Sequence, residues 1–64
     1  MVNLNQIELQ NLKELIEYNE TLYKKANSYA SQANDSQVQQ ILKKVAQGAF
    51  NTKQKLLSFF MNNL

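Results

Sequence analysis

Ala33-Asn34-Asp35-Ser36 is the stretch whose reading decides the fold. The chain has no Pro and a single Gly, Gly48, so these four residues are the one place where turn- and cap-favouring side chains cluster. They lie near the middle of 64 residues, with a helix-compatible segment on either side. Asp35 suits the N-cap of the following segment: its carboxylate accepts from the first free N–H groups and is favoured by the helix dipole. Ser36 with Gln39 offers a competing capping-box frame one residue on.

Moving outward, Asn5 and Glu8 form the Asn version of a capping box, and Leu4 and Leu9 stand at the N′ and N4 positions of a hydrophobic staple. The expected elements are one helix over about 6–33 and a second over about 36–61. Each is roughly 40 Å long at 1.5 Å per residue.

Apolar spacing agrees. In the first helix Leu9, Leu12, Ile16, Asn19, Tyr23, Ala26, Ala30 and Ala33 step by alternating threes and fours, flanked by a seven-residue column of Leu15, Leu22 and Tyr29. That is about three positions in seven, the width of a bundle helix. In the second helix Val38, Leu42, Val45, Ala49, Thr52, Leu56, Phe59 and Asn63 repeat the pattern, with Ile41 beside them. The period of 3.5 is that of left-handed bundle packing. Leu56, Leu57, Phe59, Phe60, Met61 and Leu64 at the far end are apolar on several faces.

So short a loop makes the helices antiparallel. Folding about Asn34-Asp35 makes facing positions sum to about 71. Tyr23 is then expected against Gly48 and Ala49, Asn19 near Thr52, and Leu12 and Ile16 against Leu56 and Phe59. The fold class is all-α, a single helical-hairpin domain over 1–64. One hairpin buries one stripe per helix, so the remaining columns, with Phe60, call for another chain. A homodimer closing into a four-helix bundle is the simplest arrangement.

Composition removes most chemistries. Small domains lean on disulfides, metals or oligomerisation, and this chain has neither Cys nor His. That takes away the commonest zinc ligands, thiol chemistry and the usual general base. Seven Lys against five acids give +2, without any Arg. Arg is the preferred reader of guanine and clamp of phosphate, so nucleic-acid binding is not expected. The first ten residues lack the basic and apolar regions of a signal peptide. The cluster from Leu56 to Met61 is far shorter than a membrane span. A cytoplasmic chain without membrane contact is the expectation.

Glu17 and Glu20 are spaced i,i+3 but fall outside the apolar columns, as a solvated face does. Lys24-Lys25 and Lys43-Lys44, with Lys53 and Lys55, read mainly as solvated too. Whether the Lys-rich second helix contacts an acidic surface stays open. The basic-then-apolar run from Thr52 to Met61 is read as buried in an oligomer rather than as an interfacial anchor. Asn19 and Thr52, polar residues in core columns, set register and partner number or mark the remnant of a site.

Glu8-Leu9, Leu22-Tyr23-Lys24-Lys25, Tyr29-Ala30-Ser31-Gln32, the Asp35 cap, Val45-Ala46-Gln47 and Leu56-Leu57 together resemble the small spore coat protein F (CotF-like) family. These are helical hairpins of spore-forming bacteria, related to the ferritin-like superfamily. The resemblance spans roughly residues 4–58. It implies a hairpin fold and association with the spore. The family pattern tends to place Glu where this chain has Asn19, and His where it has Ala49 and Thr52, so no metal ligand carries over.

The expected function is therefore that of a non-enzymatic structural or assembly protein, without cofactor or metal, forming a homo-oligomer with the dimer favoured and open to other coat or regulatory proteins. The alternative is a small regulatory module that binds a larger protein through Phe60, Met61 and Leu64 at its apolar C-terminal end.

Overall fold

The computed structural model describes residues 4–63; Leu64, part of the expected apolar end, lies outside the described residues. Two helices, α1 (Gln6–Gln32) and α2 (Ser36–Asn62), pack against each other as an antiparallel hairpin. Both boundaries fall within a residue of those read from the caps. At the start of α1 the Glu8 amide donates to Asn5 Oδ1 at 2.8 Å, and the Asn5 amide donates to Glu8 Oε1 at 3.1 Å. The capping box is thus closed from both sides.

At the turn Asp35 Oδ1 accepts from the amides of Gln37 at 2.7 Å and Val38 at 3.1 Å. Gln39 does not complete the rival frame. Its side-chain amide reaches back and donates to the Ala30 carbonyl at 3.2 Å, tying the first turn of α2 to the last turn of α1. Ala33 and Asp35 both take extended backbone, and no described residue has a positive φ. A chain that reverses this way needs no glycine at the turn, which leaves Gly48 to be explained elsewhere.

Register follows from side chains that meet across the pair. Glu20 with Lys53, Tyr23 with Phe50, and Lys13 with Phe60 each pair positions that add to 73, slightly past the expected 71. The buried centre is made of small residues: Ala26 and Ala30 from α1, Ala46 and Ala49 from α2, with Asn19 beside them. Alanines at facing positions let two backbones approach closely, and α1 brings its Leu9, Leu12 and Ile16 into the half-buried remainder of the seam. The molecule is one helix pair thick, with extents of 47 × 16 × 11 Å.

α2 is rotated from its expected setting. Its seam is Gln39, Leu42, Ala46, Ala49, Phe50, Lys53, Leu56 and Phe60; Val38, Val45, Thr52 and Phe59, expected to face α1, are exposed. Leu42, Ala49 and Leu56 belong to both columns, so the spacing alone admits either. The alanine column wins because it permits the close approach, and because Lys53 enters the seam already neutralised by Glu20.

A candidate association face

The two sides of the seam differ in chemistry. On one side Lys53 Nζ donates to Glu20 Oε2 at 2.6 Å, while Lys24 stands 3.7 Å from the other carboxylate oxygen. Above this pair Tyr23 and Phe50 lie with ring centroids 5.4 Å apart, and the Lys53 ammonium sits 5.1 Å from the Phe50 centroid and 5.9 Å from that of Tyr23. Cations over ring faces at these distances are attracted by the aromatic quadrupole. The Lys53 hydrogen bond holds the Glu20 carboxyl below its ordinary range against the opposing desolvation, with the charges of Lys53 and Lys24 adding to the lowering. Every group in the cluster has a partner, so its chemistry is that of a clasp between the helices.

The other side is apolar and uncovered. Leu15 and Tyr29 of α1 are 50% and 53% exposed, with Leu22 half-buried between them. Val38, Ile41 and Val45 of α2 are 47%, 61% and 40% exposed, and Phe59 closes the column. In an antiparallel pair the columns that precede the two seams border the same side. Leu15 and Phe59 accordingly line one groove, with Leu4, Glu8, Asn11 and Leu12. The face is continuous across both helices. Tyr18 extends it at the α1 edge.

Of the residues read as core or interface, Leu9, Leu12, Ile16, Asn19, Leu22, Tyr23, Leu42, Ala49, Leu56 and Phe60 are buried or half-buried in the hairpin. Leu15, Tyr29, Val38, Ile41, Val45, Gly48, Thr52 and Phe59 are exposed, and their place is the open face. Two pairings and one placement are corrected. Tyr23 meets Phe50 and Lys53 rather than Gly48, where a Cβ would touch nothing within 4 Å. Asn19 does not meet Thr52; its amide donates to the Leu15 carbonyl at 2.8 Å, within its own helix. Phe60 belongs to the seam, with the Lys13 ammonium 5.9 Å from its ring centroid, and is not free at the C-terminal end. Because Thr52 is exposed while Asn19 and Ala49 are buried, these three positions do not converge on one site.

Sequence reasoning missed the Glu20–Lys53 clasp, since it set both residues on solvated faces. No local spacing signals it, because the partners lie 33 residues apart and meet only when the helices pack.

Among the described residues no cluster of three or more His, Cys, Asp or Glu side chains stands ready to hold a metal, and no helix is long and apolar enough to cross a membrane. Comparison with protein-family models, curated proteins and solved structures finds no match.

Proposed function

We propose that this chain is a non-enzymatic structural or assembly protein that works by burying its open face against other chains, first of all its own copies, as a dimeric four-helix bundle. The observation that carries the reading is the distribution of apolar surface: Leu15, Tyr29, Val38, Ile41, Val45 and Phe59 lie on one side of the hairpin, while the opposite side is closed by the Glu20–Lys53 clasp. A contiguous apolar surface on so small a chain is the mark of an interaction site. The ionic and aromatic groups of the clasp, Glu20, Lys53, Tyr23 and Phe50, are paired with each other. The setting we propose, from the resemblance to CotF-like proteins, is the coat of a bacterial spore. Mass spectrometry of purified spores against vegetative cells tests it: enrichment in the spore is the expected result, and equal abundance in growing cells removes the coat reading.

A second reading is favoured by Leu57 and Met61, which are exposed near the end of α2 and lie off the open face. They would serve a regulatory module that docks its C-terminal end on a larger protein. Capture of one stoichiometric partner from vegetative cells, lost in a Leu57→Ser/Met61→Ser variant, would decide for it.

A further inference from the structure

Two columns of α2 compete for the seam, and they are made of sequence neighbours: Val38, Val45, Thr52 and Phe59 beside Gln39, Ala46, Lys53 and Phe60. The column that faces α1 is the more polar one, while both valines and Phe59 stand exposed. Polar side chains turned inward cost free energy unless they find partners. Gln39 donates to the Ala30 carbonyl at 3.2 Å, and Lys53, its side chain 19% exposed, donates to Glu20 Oε2 at 2.6 Å. Both hydrogen bonds cross from α2 to α1, so the inward polar residues are the ones that tie the helices together.

Leu42, Ala49 and Leu56 serve either column. Exchanging the columns therefore moves the centre of the seam by half the spacing between neighbouring residues, a turn of α2 of about 50°. That turn carries Lys53 out to water and Val38, Val45 and Phe59 inward. It also swings Ile41, Gly48 and Lys55 toward the flank of α1. The middle one, Gly48, has no side chain to obstruct the approach, and a Cβ placed there would meet nothing within 4 Å. Asn19, bonded to the Leu15 carbonyl of its own helix, keeps its partner in either setting. Small shifts of packed helices between two discrete arrangements are an established form of switching.

We infer that the Glu20–Lys53 clasp is a latch on the rotation of α2. Closed, it holds the polar column inward and leaves Val38, Val45 and Phe59 on the open face; opened, it lets α2 turn and draw that apolar column into the seam. Without Glu20 a half-buried ammonium has neither its acceptor nor its counter-charge, whereas after the turn Lys53 is hydrated and two valines and Phe59 leave water. Exposure of Ala46 and Phe60, and the loss of close approach, oppose the turn, so the clasp decides the balance. The latch thereby governs how much apolar surface the hairpin presents, and it acts within one chain whether or not that surface has a partner.

The chain has no cysteine, so single substitutions report on each column. Thiol-alkylation rates of Val45→Cys and Ala46→Cys, with helicity by circular dichroism, read the setting at concentrations where the chain sediments as a monomer. With Glu20 present, the thiol at position 45 is expected to react at least tenfold faster than the one at 46. In a Glu20→Ala background the order is expected to reverse while helicity is kept. The charge-swapped pair Glu20→Lys/Lys53→Glu is expected to restore it. The contact of the Tyr23 and Phe50 rings, 5.4 Å between centroids, gives a second reading in any oligomeric state. Its nuclear Overhauser effect is expected in the parent and lost in Glu20→Ala. An unchanged order of thiol rates in Glu20→Ala, or a ring contact that survives there, overturns the latch. If both thiols become equally reactive, the clasp only stabilises the hairpin and α2 has no second setting. A swapped pair that leaves the order reversed also overturns it, because the charge pair is then not what holds α2.

Discussion

Asp35 and Glu20 are the two residues whose chemistry matters most to the hairpin. Asp35 satisfies two amides that α2 cannot bond internally. Asp35→Ala is expected to cost about 1 kcal/mol of stability, within the range of 0.5–2 for lost caps, read by urea unfolding. Its capping role was legible because Asp in an otherwise unbroken helical sequence has few other uses. Glu20 was not legible: its partner lies 33 residues away, and nothing in the local spacing announces Lys53. Its lowered folded-state pKa gives the sign of the acid response. The clasp contributes fully above the ordinary glutamate value of 4.5 and is lost as pH falls through the lower folded value. Unfolding midpoints measured from pH 6 downward should therefore fall on acidification, and Glu20→Gln should lower stability at neutral pH and flatten that part of the profile.

At the scale of the element, the lesson is in α2. Leu42, Ala49 and Leu56 are common to two columns, one completed by Val38, Val45, Thr52 and Phe59, the other by Gln39, Ala46, Lys53 and Phe60. Hydrophobicity alone chooses the first, because Val and Phe outweigh Gln and Lys. The packed hairpin chooses the second, because α1 supplies Ala26 and Ala30 for close approach and Glu20 to receive Lys53. A period near 3.5 specifies which residues share a stripe, and leaves the rotation of the helix about its axis to the partner it meets. The neighbouring pair Val45 and Ala46 tests this. At concentrations where the chain is monomeric, Ala46→Leu should lower stability by about 1–3 kcal/mol through overpacking at a site 2% exposed. Val45→Ser should change it by no more than about 0.5 kcal/mol, as surface substitutions do. The reverse order would restore the hydrophobic column to the seam.

As a whole molecule the hairpin is long and thin, with a Cα radius of gyration of 14.5 Å where about 10.7 Å is expected of a compact chain of this length. Its buried centre is four alanines and an asparagine, a small source of stability to set against the ordering of two 27-residue helices. If association supplies the rest, the thermal midpoint should rise with protein concentration; each tenfold increase adds up to about 1.4 kcal/mol. Scans across three decades of concentration check this, and a constant midpoint would count against a dimer. The sequence by itself determined the number of helices, their ends and their antiparallel course. Caps, the absence of Pro and the apolar period are local properties, carried by residues within a few positions of one another. Only the tertiary structure decided which face of α2 turns inward, that Lys53 crosses to Glu20, and that the valines, Ile41, Tyr29 and Gly48 share one open face. Those depend on the shape and charge of a helix more than twenty residues away, and the close approach of small side chains there outweighed the burial of larger ones.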